Sequence, residues 1–242
     1  MIGRAAAVMR TLSDHPHGLS LSGLAQQVGL PRSTVHRVVA ALEVEDLVTT
    51  GGGGPARLGA GLLRLANAQR IDLRAEVKPY LEDLSEALGE TVDLAVLDGG
   101  SVLFLDQLPG VHRLRAVSSV GAVFPAYCTA NGKALLAELP DATVRALLPK
   151  RLKPRTPKTT TTISALMREL EEVRNTGVAF DREEHTEGIC AVGVAIRESI
   201  GAEAAVTVPM PSQRFARREG PVVKALLETQ KRIERHFGAP EH

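Results

Sequence analysis

Four aliphatic residues, Val35, Val38, Val39 and Leu42, fall at i, i+3, i+4 and i+7 and mark one buried stripe of a helix. The opposite face carries Arg32, Ser33, His36 and Arg37, with Thr34 beside them near the helix start. Pro31 suits the first helical position, where no N–H is needed. A shorter helix precedes it in the stretch Leu19–Leu42, with Ser20 as its N-cap, Ala25 small enough for close helix packing, and Gly29 supplying a left-handed turn. Gly23 stands where a capping-box Glu would reach back. Two short helices joined by a glycine turn form a helix-turn-helix, whose second helix reads DNA with the donors it leaves free. Arginine forks onto guanine in the major groove, and Ser, Thr and His reach phosphates or base edges.

Downstream, Leu47–Thr50, the run Gly51–Gly54 with Pro55, and Ala56–Leu58 predict a β-hairpin wing. Arg57 on this wing is placed to meet a phosphate or a minor groove. Helical spacing resumes from Leu58 to about Arg70, then again through Leu73, Val77, Leu81, Leu84 and Leu88 up to Gly89. These predict a linker helix and a separate first helix of a second domain. Alternation at Val92, Leu94 and Val96, the turn Asp98-Gly99-Gly100 and Val102–Leu105 predict a hairpin, with a third strand near Leu114–Ser118.

A helix over Ala134–Leu139 and a surface loop over Pro149–Thr162 follow. A helix over Ile163–Asn175 stops at Gly177, strands cover Val192–Ile196 and Ala204–Val208, and Pro221 opens a terminal helix to Phe237. The predicted class is α+β: a winged helix-turn-helix over 1–58, a linker helix over 59–73, and a domain over 74–242 with a mixed antiparallel sheet flanked by helices.

Composition changes this picture little. The chain has 242 residues, 44% hydrophobic and 24% charged, with no apolar run approaching the roughly 20 residues of a membrane helix and no evident secretory signal. A net charge of +1 puts any DNA affinity on local placement of Arg32, Arg37, Arg57 and residues such as Arg4. Glu43, Glu45 and Asp46 are expected to point away from a groove entered by the other end of the helix. Two cysteines, Cys128 and Cys190, give neither a disulfide framework nor a metal-ligand spacing, and fit a reducing cytoplasm.

Enzyme signatures are weak. Gly132-Lys133 lacks the rest of a phosphate-binding loop, Gly59-Ala60-Gly61 lacks both the third glycine and a preceding strand of a dinucleotide fingerprint, and no nucleophile elbow or zinc helix occurs. The cluster Asp181, Glu183, Glu184, His185, Glu187 is better suited to polar contact with a ligand than to a metal. No metal and no cofactor is expected. Catalysis on a small acid in the second domain remains the enzyme alternative, and a constitutive DNA-binding protein without an effector the other.

The helix-turn-helix and wing, Ala130-Asn131-Gly132-Lys133-Ala134-Leu135-Leu136-Ala137, and Gly177-Val178-Ala179-Phe180-Asp181-Arg182-Glu183-Glu184-His185 together resemble the IclR family of bacterial transcription regulators, almost end to end. The resemblance implies a GAF-like C-terminal domain that binds an effector, and a homodimer or homotetramer on a palindromic operator of double-stranded DNA. It implies a small-molecule pocket lined by Ala116, Phe124, Ala130 and Asn131, with Asp181, Cys190 and Thr207 as polar positions. Pro209 replaces a hydroxyl residue frequent in the family. Free amides at a helix start around Ala130 and Asn131 suit a carboxylate, so a small organic acid is the expected effector. Arg113, next to the pocket strand, is expected to face solvent.

Overall fold

In the unit Met1–Leu73 of this computed structural model, three helices converge on one small core. The chain is described over residues 2–116, 118–198 and 201–237. Helix α1 (Ile2–Ser13) contributes Val8 and Leu12, α2 (Leu21–Val28) Leu24, and α3 (Arg32–Val44) the stripe Val35, Val38, Val39 and Leu42, all buried. The Ser20 hydroxyl accepts the Gly23 amide at 3.1 Å, capping α2. Gly29 ends that helix at φ 67°, a left-handed turn that costs glycine nothing, and its N–H returns to the Ala25 carbonyl. Strands β1 (Val48–Thr49) and β2 (Arg57–Leu58) pair antiparallel as the wing, and Ala56 bridges back to Leu19. Helix α1 has no counterpart in the pattern-based reading.

The unit Arg74–His242 is organised by a six-stranded sheet in the order β5-β4-β3-β8-β7-β6, antiparallel at every pairing. Its strands are β3 (Val92–Asp98), β4 (Ser101–Leu108), β5 (Val123–Pro125), β6 (Ala179–Arg182), β7 (Ile189–Glu198) and β8 (Gly201–Pro211). Side chains alternate between faces with period two. One face puts Ala95, Ala195, Ala205 and Phe104 into a core shared with α5 (Ala130–Ala137) and α7 (Ile163–Thr176). The other presents Val192, Val194, Val206, Val208 and Met210 to α8 (Ser212–His236), which packs along β7 and β8 through Phe215, Val222, Leu226 and Ile233. A short helix, α6 (Asp141–Leu147), follows α5.

Several expectations change. The two helices expected between Leu58 and Leu88 are one, α4 (Gly61–Leu88), because nothing between Arg70 and Leu73 breaks the pattern; Pro79 lies inside it on an exposed face. The strand expected at Leu114–Ser118 is irregular backbone at its described residues, with Val117 outside them, and the edge strand is Val123–Pro125. The terminal helix starts nine residues before Pro221, at Ser212. There Phe215 is buried and Arg214 and Arg218 pair with the buried Glu90, and this packing outweighs the hydrogen bond Pro221 forfeits. The loop Pro149–Thr162 is not all surface. Leu152, Thr156 and Thr159 are buried, and the two threonine hydroxyls donate to the Glu183 and Glu184 carbonyls at 2.7 and 2.6 Å. Asp181 lies on strand β6.

Candidate effector cavity and DNA-binding head

Two rows of side chains on the α5 face of the sheet make the floor of a cavity of about 250 Å³. Cross-strand pairing aligns Asp181, Ala191 and Pro209 in one row. It aligns Gly193, Thr207 and Asp93 in the next, continued on β4 by Gln107. Above Gly193 sits the start of α5: a Cβ there would lie 2.5 Å from Thr207 Cγ2 and 3.1 Å from the Ala130 carbonyl carbon, so only glycine admits the helix this close. Gly132 is tighter still, its Cβ position 2.2 Å from the Ala126 carbonyl oxygen. The walls are completed by Phe104, Phe124, Thr129, Ala130, Asn131, the irregular segment with Arg115, Ala116 and Ser118, and the turn with His185, Thr186 and Ile189.

Of the seven residues expected in the pocket, six line it: Ala116, Phe124, Ala130, Asn131, Asp181 and Thr207. Cys190 does not. It pairs across from Arg182 and Met210, and alternation sends it to the α8 face with Val192, while its neighbour Ala191 faces the cavity. Arg113 is exposed and apart from the lining, where Arg115 stands instead. Sequence reasoning also passed over Asp93 and Ser118. The signal for Asp93 was present: it is a lone acid in the otherwise apolar run Val92–Leu97.

The electrostatics of the cavity are unusual. Asp181 is 5% exposed, and burial pushes its carboxyl up to about 7, against the pull of the Glu184 amide, which donates to Oδ1 at 2.7 Å. Burial also lifts Asp93 to about 6, opposed by hydrogen bonds from Gln107 and Ser118. His185 stacks on Phe124 with centroids 4.3 Å apart, and burial, then the charge of Arg155, hold its ring below the usual imidazole range. Its Nε2 is buried and, among the described residues, has no hydrogen-bond partner. At the start of α5, helical geometry leaves the first amides without carbonyl partners. The Gly132 amide takes the Asn131 side chain and the Lys133 amide the Thr129 carbonyl; among the described residues those of Ala130 and Asn131 have none.

Behind this wall Lys133 is buried between Glu184 (2.7 Å) and Glu169 (3.0 Å). Burial alone would lower its ammonium, and the two carboxylates more than offset that. The expected polar cluster at 181–187 therefore divides its work: Asp181 and His185 face the cavity, and Glu184 anchors the turn to α5.

In the head, Arg32, Ser33, His36 and Arg37 are exposed on α3 and Thr34 is half-buried. Arg32 and His36 open onto a groove of about 500 Å³ between α2, α3 and the wing, shared with Ser20, Ser22, Gly53 and Gly54. Glu43 has a structural part in the head. It lines the same groove and takes both the amide and the hydroxyl of Thr50, at 2.8 and 2.7 Å, which pins the wing to α3 and lowers its own carboxyl. Arg57 Nε donates to the His17 carbonyl at 3.1 Å, which folds it against the wing base.

A winged helix-turn-helix head followed by a domain built around a buried polar cavity defines a ligand-responsive, DNA-binding transcription regulator. The chain belongs to the IclR family: residues 65–235 match the bacterial transcriptional regulator IclR C-terminal domain, and residues 2–52 the IclR helix-turn-helix domain. It is 48% identical over 242 residues, all of this chain and 93% of the relative, to the HTH-type transcriptional regulator Rv1719 of Mycobacterium tuberculosis. It is 44% identical to the HTH-type transcriptional regulator TtgV of Pseudomonas putida, covering 98% of this chain and 92% of that protein. Among solved structures it is similar to an IclR homologue of Microbacterium hydrocarbonoxydans complexed with 4-hydroxybenzoate. The TM-score is 0.86 at 27% identity, over 99% of both chains.

Proposed function

We propose that the cavity receives a small organic acid whose carboxylate sits at the start of α5, and that its occupancy changes how the heads engage a palindromic operator. One observation carries the ligand class: the two amides of Ala130 and Asn131 left without partners at a cavity-lining helix start, where orphan donors and the helix dipole both favour an anion. The Asp181 carboxyl, raised by burial, keeps a proton near neutrality and serves as donor rather than as a repelling charge. A homologue that holds 4-hydroxybenzoate supports the same class. Ala116, Phe124, Asn131 and Thr207 form the remaining contact surface, without Cys190.

On the DNA side, Arg32, Ser33, Thr34, His36 and Arg37 read the operator, and Arg57 braces the wing near the backbone. Paired half-sites call for a homodimer or dimer of dimers acting in the cytoplasm. The division of labour is a DNA-binding domain over 1–58, a linker over 59–73 and an effector domain over 74–242. The cavity does no chemistry, as the relatives named as transcriptional regulators support.

The test is a fluorescence-anisotropy titration against the upstream intergenic DNA at fixed salt, with and without benzoate, 4-hydroxybenzoate and short aliphatic acids. Arg32→Ala and Arg37→Ala are each expected to weaken specific binding by roughly 5- to 100-fold, the range of a lost base or phosphate contact. At least one acid is expected to shift wild-type affinity. Binding with no preference over competitor DNA, or a response to none of the acids, refutes the respective half of the reading.

A further inference from the structure

The row Gly193, Thr207, Asp93 runs across three adjacent strands, and α5 begins above its first member. Neighbouring strands lie about 4.8 Å apart, so Asp93 is roughly 10 Å across the floor from the backbone that supports Ala130. Asp93 is 2% exposed and lines the cavity. Gln107 Nε2 donates to its Oδ1 at 2.9 Å and also to Ser118 Oγ at 2.5 Å, so the carboxylate and the serine hydroxyl are oriented side by side. Gln107 donates to Oδ1 and not to Oδ2, and Ser118 lies against the same carboxylate. Between the two poles the lining is Thr207 on the floor and the rings of Phe104 and Phe124, 5.0 Å apart and edge to face.

We propose that Asp93, set by Gln107 and Ser118, is a specificity-determining acceptor for a hydroxyl on the effector, at the end of the molecule opposite its carboxylate. This rests on the acid reading above and narrows it, from a small organic acid to a hydroxy acid with an apolar, ring-sized middle. A buried carboxylate built for a donor discriminates against a ligand that lacks one, because the acceptor is then desolvated without a partner. Plain acids of the same length fail at this pole even when their carboxylate is well seated. An ether oxygen in place of the hydroxyl fails further, because it offers only a second acceptor.

Isothermal titration calorimetry of the full chain with benzoate, 4-hydroxybenzoate and 4-methoxybenzoate separates the possibilities. The same series is repeated on the phenylacetate scaffold. Wild type is expected to bind the hydroxy acid at least tenfold more tightly than the other two. Asp93→Leu is expected to abolish that preference, and to bind the plain acid more tightly than wild type does, because the unpaired buried acceptor is gone. Asp93→Asn, which keeps the Oδ1 acceptor for Gln107, is expected to retain part of it. Far-UV circular dichroism and effector-free DNA binding establish that each variant is folded. A wild type that binds plain and hydroxylated acids equally, or an Asp93→Leu variant that keeps the full preference, overturns the assignment of Asp93 and leaves the acid reading standing. Binding of none of the acids to wild type overturns the acid reading and this inference with it.

Discussion

Replacing Asp181 by Asn tests the central electrostatic claim without a ligand. Asn keeps an oxygen at Oδ1 for the Glu184 amide and removes the titration. In the wild type the ordinary value of 3.8 is raised to about 7. Between those values the folded chain holds a proton that the unfolded chain releases. The stability this group contributes is complete below about pH 4 and is lost as the pH rises through 7. At 1.36 kcal/mol per pH unit the loss totals about 4 kcal/mol, of which about 2 kcal/mol falls between pH 5 and 7. The variant escapes that loss, so its stability relative to wild type climbs from pH 5 to 7 and levels off above 8. Asp93 titrates alike in both proteins and cancels. The chain has no Trp, and both of its Tyr residues, Tyr80 and Tyr127, lie in the effector domain. Urea unfolding followed by tyrosine fluorescence at pH 5, 6, 7 and 8 therefore reports this domain. A stability difference that stays constant with pH would falsify the claim that Asp181 holds a proton near neutrality.

Lys133→Met leaves Glu184 buried with no cation and is expected to cost about 3 kcal/mol in the same assay; adding Glu184→Gln should recover part of it. Gly132→Ala sets a methyl against the Ala126 backbone and displaces the start of α5, with an expected loss of at least 2 to 3 kcal/mol and of acid binding measured by calorimetry. Gly220, inside α8 with nothing within 4 Å of its Cβ position, is the control: Gly220→Ala should stabilise by roughly 0.5–1 kcal/mol, and a loss there would show that open space is not what separates the two sites.

The head was legible because its information is local. Cap, turn glycine and apolar stripe lie within Leu19–Leu42, and each acts over one or two helical turns, so pattern alone places α2, α3 and the exposed Arg32, His36 and Arg37. The hairpin of β3 and β4 was legible for the same reason, with its turn and its alternation contiguous. Local punctuation misled where packing opposed it. Pro221, read as a helix start, sits inside α8, whose start is fixed by buried contacts rather than by the proline.

What the sequence by itself determined is the parts: a DNA-reading head, an antiparallel sheet with helices, and the motif around Ala130–Lys133 that prepares a helix start. What only the tertiary structure decided is which side chains meet. Cys190 and Ala191 are neighbours, and a single step of strand register chooses between them, because successive residues point to opposite faces. Asp93, Thr207 and Gly193 are more than a hundred residues apart at their widest, yet lie in one row because β8 pairs with β3 on one side and β7 on the other. No spacing along the chain encodes that row; it exists only once the sheet has closed in this order, and the cavity exists only because α5 can rest on its glycine.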